Sequence, residues 1–92
     1  MRITFDPAKR AATLDSRGLD FIDASRVFAG RKLEFPDDRQ AYGEVRMITV
    51  GLLDGRMVVV VWTPRGDCRR IISMRKANDR EKARFGQRLG EG

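Results

Sequence analysis

The fold is indicated most clearly by the segment VRMITVGLLDGRMVVVVWTPRGDCRRIISMRK, residues 45–76. This segment holds three runs rich in β-branched residues, and Asp54-Gly55 between the first two is a strong signal for a hairpin turn. The turn-forming residues PRGD (64–67) join the second run to the third. The segment therefore predicts an antiparallel meander of three strands. Because residues 58–61 are all apolar, their strand is expected to be central and covered on both faces.

Helices are predicted outside this meander, in FDPAKRAATLDSRG (5–18), LDFIDASRVFAG (19–30) and NDREKARFGQRL (78–89). Asp6 is a suitable N-cap for the first helix, and Gly18 suits its exit. Asn78 followed by Glu81 has the spacing of a capping box at the start of the last helix.

Together these elements predict an α+β domain in the order α-α-β-β-β-β-α. Its twisted antiparallel sheet of three to four strands would pack with N-terminal helices and a C-terminal helix. RKLEF (31–35) supplies the fourth strand, and PDDRQAYG (36–43) forms a loop. The side chains expected between the helices and one sheet face are Phe21, Phe28, Val58, Val60 and Ile72. The length allows one domain, residues 1–92, and the tail GEG after about residue 89 is predicted to be disordered.

The charge balance favours an anionic partner. Nineteen Lys and Arg against 13 Asp and Glu give a net charge of +6, and ten bases but only four acids lie from Arg56 onward. The chain has no His, which excludes a histidine base and a His-based zinc site, and its single Cys68 cannot close an intrachain disulfide. No apolar run is long enough to cross a bilayer, so we expect a cytoplasmic protein without membrane contact, metal or other cofactor.

Residues 69–76 combine strand-like apolar residues with fixed positive charge. Strict alternation predicts one face with Arg70, Ile72, Met74 and Lys76, and another with Arg69, Ile71, Ser73 and Arg75. The first face would pack on the core through Ile72 and Met74. The second would stay partly open as a phosphate-binding surface, joined by Arg46 and Arg65. Alternatively, these cations only keep a solvated strand soluble.

Several segments resemble the BrnT toxins of bacterial type II toxin–antitoxin systems: DPAK (6–9), GLDFIDASRVF (18–28), GEVRMITVGL (43–52), VVVVWTPRGDCRRIISMRKA (58–77) and Glu81. The resemblance extends from Phe5 to about Phe85. It implies a RelE-like fold and RNA cleavage that stops translation. It also implies neutralisation by a BrnA-type antitoxin with a ribbon-helix-helix domain. Two toxins would join an antitoxin dimer in a heterotetramer, which meets operator DNA only through the antitoxin and represses its own operon.

Three positions depart from the family pattern. Ser16-Arg17-Gly18 stands where the family usually has Lys-His-Gly, and Phe5 stands where a Trp usually precedes DPAK. Only Glu44 precedes the Arg of GEVR, where the family often has two acids. If the family His takes part in catalysis, this chain is impaired or uses Arg17 for binding instead. If the His only caps or packs, nothing is lost.

Cleavage beside a 2′-hydroxyl needs a base, a stabilised pentavalent phosphate and a proton for the 5′-oxygen. Glu44 is the candidate base, with an ion pair to Arg46 as its alternative role. Arg46 and Arg75 are candidates for stabilising the phosphate, and Lys76 for donating the proton. The candidate RNA-binding residues are Arg17, Trp62, Arg65, Arg69, Arg70 and Ser73. Trp62 would stack on a base, although a core position is its alternative.

Three functions are therefore compatible with the sequence. The first is an endoribonuclease toxin, which rests on the family resemblance. The second is a catalytically degenerate module that binds nucleic acid or the antitoxin, which the missing His keeps open. The third is a structural interaction domain whose basic surface meets an acidic protein.

Overall fold

The computed structural model describes residues 2–39 and 41–90. The elements in chain order are β1 (Arg2–Phe5), α1 (Pro7–Arg17), a 3₁₀ turn (Phe21–Asp23), α2 (Ala24–Ala29), β2 (Lys32–Pro36), β3 (Met47–Leu53), β4 (Arg56–Arg65), β5 (Cys68–Lys76) and α3 (Asp79–Phe85). This is the predicted α+β composition. None of the helices in the described ranges is long and apolar enough to cross a membrane.

The strands of the described chain form one five-stranded sheet in the order β1-β5-β4-β3-β2. β3, β4 and β5 are antiparallel neighbours, so the predicted meander is confirmed. At its first turn, Asp54 and Gly55 have φ angles of 52° and 80°, as a type I′ hairpin turn requires. β2 pairs antiparallel with β3 and is the predicted fourth strand.

The fifth strand, β1, makes the sheet mixed, so the expectation of a purely antiparallel sheet of three to four strands is wrong. β1 runs parallel to β5, with Ile3 opposite Arg69 and Phe5 opposite Ile71. Four residues directly before a helix carry too little alternation to indicate a strand. Their partner lies near the other end of the chain, so only the tertiary fold brings the two strands together.

Helices pack on both faces of the sheet. The α2 face is covered by the 3₁₀ turn and α2, and its core contains Leu19, Phe21, Ala24, Val27, Phe28, Leu53, Val58, Val60, Trp62, Ile71 and Met74. The α3 face has a smaller core of Val50, Met57, Val59, Ala77, Phe85 and Leu89. Residues 58–61 are buried, so the central strand is covered on both faces as predicted. α3 is only seven residues long and leaves part of its face open as a cleft.

A β-bulge in β5 changes which of its side chains are buried. Trp62 pairs with Ile71, but its neighbour Val61 pairs with Ser73, so Ile72 is an extra residue in the ladder. As a result, Ile71 is 2% exposed and belongs to the core, whereas Ile72 is only partly buried.

The bulge corrects the predicted faces of β5. Arg69, Ile71 and Met74 lie on the α2 face, and Arg70, Ser73 and Arg75 lie on the α3 face. The expected core pair of Ile72 and Met74 is therefore wrong, because the pair is Ile71 and Met74. Strict alternation failed because one inserted residue reverses the orientation of every side chain before it.

The helix ends follow the predicted capping signals. The Asp6 carboxylate accepts a hydrogen bond from the Ala8 N–H, and Gly18 ends α1 with a φ of 68°. Asn78 and Glu81 form both bonds of the capping box. The predicted second helix (19–30) is instead a 3₁₀ turn followed by the six-residue α2.

The predicted C-terminal helix (78–89) is shorter than expected, and residues 86–90 form turns. α3 ends at Phe85, Leu89 is buried, and Gly90 lies in a turn. The last two residues of the tail predicted to be disordered, 91–92, lie outside the described residues.

Candidate nucleic-acid interface

The open part of the α3 face is a cleft of about 490 Å³. Apolar side chains of the sheet and α3 line it: Phe35, Ile48, Val50, Val59, Val61 and Phe85. Among the described residues, five arginines also line it, namely Arg17, Arg39, Arg75, Arg80 and Arg84, against one carboxylate, Glu81. An apolar floor with an arginine rim suits a ligand that carries negative charge beside a flat apolar group.

Arg75, one of the residues that line this cleft, forms a two-pronged ion pair with Glu81. Its Nη1 and Nη2 atoms donate to the two carboxylate oxygens at 2.7 and 2.8 Å. Glu81 also accepts the Asn78 N–H at 2.9 Å, so the same carboxylate caps α3. Arg75 holds the pKa of Glu81 below its ordinary value, and Glu81 raises the pKa of Arg75. Both groups are therefore ionised at neutral pH.

A second set of contacts involves residues that come directly after β2 in the chain. Asp37 accepts from Arg39 Nε and Nη2, both at 2.7 Å, and from the Tyr42 hydroxyl at 3.1 Å. The Arg39 guanidinium lowers the pKa of Asp37 to about 2. The Arg46 guanidinium lies over the Tyr42 ring, 3.9 Å from its centre. Asp37, Arg39, Tyr42 and Arg46, here called the Asp37 cluster, thus connect the cleft to the start of β3.

Glu44 lies beside this cluster, between two cations. Its carboxylate accepts a hydrogen bond from Arg65 Nη2 at 3.0 Å and lies 3.7 Å from Arg46 Nε. The ion pair given as the alternative role of Glu44 is therefore present. A phosphate bound by Arg46 and Arg65 would also come within reach of the Glu44 carboxylate.

The predicted catalytic residues do not form one site. Lys76 pairs with Val58 in register, whereas Arg65, the partner of Glu44, is seven residues further along β4. At roughly 3.3 Å per residue, Val58 and Arg65 are about 23 Å apart. Glu44 and Lys76 cannot act on the same phosphate, so the prediction of Lys76 as the proton donor is corrected. Arg75, opposite Val59, likewise lies in the cleft rather than beside Glu44.

Two predicted RNA-binding residues lie on the other face. Trp62 is 6% exposed and donates from Nε1 to the Thr49 hydroxyl at 2.8 Å, so it has the core position given as its alternative. The Arg69 guanidinium lies over the rings of Phe28 and Trp62, and it is 3.6 Å from a carboxylate oxygen of Glu34. Both residues stabilise the α2 face and are turned away from the cleft.

The other predicted RNA-binding residues lie on or beside the α3 face. Ser73 and Arg17 line the cleft, and Arg17 Nη1 donates to the Met74 carbonyl at 3.0 Å. Arg70 is half-buried on the same face, opposite Thr63. Arg65 meets Glu44 at the end of β4.

Sequence reasoning missed several cleft residues. Arg80 and Arg84 are four residues apart on α3, a spacing that puts them on one side of a helix, so this signal was available. Arg39 had no such signal, because it lies in an irregular segment whose position depends on the tertiary fold. Within residues 2–39 and 41–90, no three side chains of Cys, Asp or Glu come together as a possible metal site.

Comparison with known protein families identifies the relatives of this chain. The family model described as "Ribonuclease toxin, BrnT, of type II toxin-antitoxin system" matches residues 5–81 of the 92-residue chain. No curated protein sequence matches the chain. The match runs from the end of β1 into α3, and the resemblance found in the sequence is thereby confirmed.

Proposed function

The chain belongs to the BrnT family of ribonuclease toxins of type II toxin–antitoxin systems, and from that premise we propose that it binds RNA across the α3 face and cleaves it, which blocks translation. The observation that carries this proposal is the cleft with five arginines and one carboxylate. RNA binding depends on such fixed cations, because each phosphate that they neutralise releases a counterion.

The apolar floor of the cleft supports an RNA ligand with unpaired bases. Bases splayed out of a single strand can lie on apolar or aromatic side chains, while arginines take the flanking phosphates. Phe35 and Phe85 lie against each other at the cleft with ring centres 5.9 Å apart. A base would enter beside them, with Arg75 and Arg84 at its phosphates.

We assign the chemistry to the carboxylate beside the Asp37 cluster. Glu44 takes the proton of the 2′-hydroxyl, whose oxygen attacks the adjacent phosphorus, and Arg46 and Arg65 stabilise the charge that develops on the phosphate. The P–O5′ bond breaks to leave a 2′,3′-cyclic phosphate, and water protonates the departing 5′-oxygen. The contacts of Glu44 with these two arginines support this assignment. The arginines supply charge that a metal ion supplies in many nucleases, so the proposed cleavage is metal-independent.

The antitoxin partner follows from the description of the family as part of a toxin–antitoxin system. The proposed partner is a BrnA-type protein with a ribbon-helix-helix domain. A dimer of this antitoxin would join two toxins in a heterotetramer that represses its own operon. The fold is accordingly proposed to be RelE-like, with β1 added at one edge of the sheet. Translation is the process blocked, so the proposed place of action is the cytoplasm.

The test is cleavage of a labelled single-stranded RNA by purified protein, with and without EDTA. We expect cleavage that EDTA leaves unchanged and that Glu44→Gln reduces by a factor of about 10²–10⁴, the usual size of general base catalysis. Arg56→Ala is the matched control, because this exposed arginine lies in the hairpin at the far end of the sheet.

Other results would redirect the assignment. Loss of cleavage with Glu81→Gln but not Glu44→Gln would move the chemistry into the cleft. Cleavage abolished by EDTA would refute the metal-independent mechanism. RNA binding by folded wild-type protein without any cleavage, and without growth arrest on expression, would favour the catalytically degenerate binding module.

A further inference from the structure

Asp37 is unusual among the charged residues of the described chain because it is buried. Its side chain has no exposed surface, whereas the Arg39 side chain that it contacts is 66% exposed. A buried carboxylate is costly unless its oxygens are fully satisfied by hydrogen bonds. Asp37 meets this condition, because both of its carboxylate oxygens accept hydrogen bonds.

The contacts of Asp37 leave its carboxylate no free side for a ligand. Oδ1 accepts from the Arg39 backbone N–H at 3.3 Å and from Arg39 Nε at 2.7 Å. Oδ2 accepts from Arg39 Nη2 at 2.7 Å and from the Tyr42 hydroxyl at 3.1 Å. Asp37 therefore acts on other side chains and does not touch RNA itself.

The first of these side chains is Arg39. A guanidinium has five N–H donors in one plane, and two parallel bonds to a carboxylate fix the orientation of that plane. The bonds to Asp37 use Nε and one N–H of Nη2. Three donors remain, on a side chain that is mostly exposed and lines the cleft. Asp37 thus holds Arg39 with its free donors available to a phosphate.

The second is Arg46, which Asp37 reaches through Tyr42. The Tyr42 hydroxyl is held by Asp37, and the Tyr42 ring supports the Arg46 guanidinium at 3.9 Å. Arg46 Nε is buried and has no hydrogen-bond partner within the described residues. The orientation of Arg46 therefore depends on the Tyr42 ring and on its ion pair with Glu44.

We propose that Asp37 is a positioning residue of the RNA-binding surface, which aligns Arg39 directly and Arg46 through Tyr42 so that both contact phosphates of one RNA strand. This inference rests on the proposed RNA-binding function and adds a residue that makes no contact with the substrate. A purely structural role is the alternative, since the Asp37 N–H also bonds the Arg46 carbonyl at 2.9 Å and closes the loop.

The experiment measures binding of a fluorescein-labelled single-stranded oligoribonucleotide over a series of salt concentrations. Each phosphate contact on a single strand contributes about 0.7 to the slope of log affinity against log salt. Asp37→Asn is expected to make this slope less steep by about 0.7 to 1.4, which corresponds to the loss of one or two phosphate contacts. Asp38→Asn is the matched control, because the neighbouring Asp38 is exposed.

Two further variants separate positioning from stability. Arg39→Lys keeps the charge but cannot form the planar fork with Asp37, so it is expected to lose nearly as much slope as Arg39→Ala. When Arg39→Ala is already present, adding Asp37→Asn is expected to reduce the salt slope further only by the contribution of the Arg46 contact. Tyr42→Phe keeps the ring under Arg46 and removes the hydroxyl bond to Asp37. It should therefore reduce the salt slope by the contribution of the Arg46 contact alone.

The possible results are distinct. If Asp37→Asn lowers the melting temperature but leaves the salt slope of the folded protein unchanged, the role is structural and the inference is overturned. If Asp37→Asn does not fold, the outcome rests on Arg39→Lys and Tyr42→Phe, and wild-type slopes in both would overturn the inference equally. Absence of RNA binding by the wild type would overturn the proposed function as well.

Discussion

Arg75 and Glu81, which both line the cleft, are joined by two parallel hydrogen bonds of 2.7 and 2.8 Å. Because Glu81 also closes the capping box with Asn78, the start of α3 and the orientation of Arg75 depend on the same carboxylate. This two-pronged ion pair partly neutralises the charge of Arg75 in the free protein. Arg75 is only 38% exposed, against 66% for Arg39, whose free donors remain accessible beside Asp37. An RNA phosphate must therefore compete with Glu81 for Arg75.

Replacing Glu81 by Gln tests this competition. A glutamine still accepts the Asn78 N–H, so the capping box and α3 remain, but it releases the full charge of Arg75. We expect tighter RNA binding and a salt slope larger by about 0.7, which corresponds to one more phosphate contact. Binding titrations at several salt concentrations measure both quantities.

Glu81→Ala serves as the companion variant. It frees Arg75 in the same way but also removes the capping bond, which costs about 0.5–2 kcal/mol of stability. Weaker RNA binding by Glu81→Gln would show that the two-pronged ion pair orients Arg75 productively and does not mask it.

Acid should destabilise the protein through Asp37 and Glu81. The pKa of each is lower in the folded protein, Asp37 from 3.8 to about 2, mainly through its bonds to Arg39 and Arg75 respectively. A lowered carboxyl pKa contributes stability above the unfolded value, and this stability is lost as the pH falls through the folded value. Urea unfolding between neutral pH and about pH 2 measures the loss.

In Asp37→Asn, the free energy of unfolding should fall less steeply as the pH is lowered. This variant is expected to lose about 1.5–3 kcal/mol at neutral pH, the usual value of hydrogen bonds to a charged group, and to lose less on acidification. If its free energy of unfolding runs parallel to that of the wild type below pH 4, the assignment of the acid destabilisation to Asp37 is wrong.

Gly51→Ala should destabilise the contact between α2 and the sheet. A Cβ at position 51 would lie 2.7 Å from Cγ1 of Val27, which is fully buried and has a stiff side chain. Overpacking of this kind costs about 1–3 kcal/mol. Thermal or urea unfolding measures the change.

A control and a rescue make this test specific. A Cβ at Gly30 meets nothing closer than 3.7 Å, so Gly30→Ala should lose much less stability. Adding Val27→Ala to Gly51→Ala removes the clashing atom, so the double variant should be more stable than the sum of the two single changes predicts.

Thr49→Val tests the position of Trp62 in the core. The substitution keeps the shape of the buried Thr49 but removes the acceptor of the Trp62 Nε1–H, at a cost of about 1–3 kcal/mol. RNA binding by the folded variant should equal that of the wild type, because Trp62 lies on the α2 face. A fall in affinity comparable to that of Arg75→Ala would assign Trp62 to the RNA-binding surface instead.

Features that depend on neighbouring residues could be predicted from the sequence. The Asp54-Gly55 turn, the central strand of residues 58–61 and the capping box of Asn78 and Glu81 are short-range patterns, and each was predicted. The family was also evident from the sequence, because its motifs are runs of adjacent residues.

Which cations share a surface depends on the tertiary fold and could not be predicted from the sequence. The bulge at Ile72 turned Arg69 onto Phe28 and Trp62 and left Arg70 on the face of Arg75, and the length of β4 separated Glu44 from Lys76. Arg39 lies at the cleft, where two hydrogen bonds to the buried Asp37 carboxylate hold it. Local sequence patterns do not predict these positions, because one inserted residue reverses the faces of a strand. Strand pairing also joins residues that are far apart in the chain.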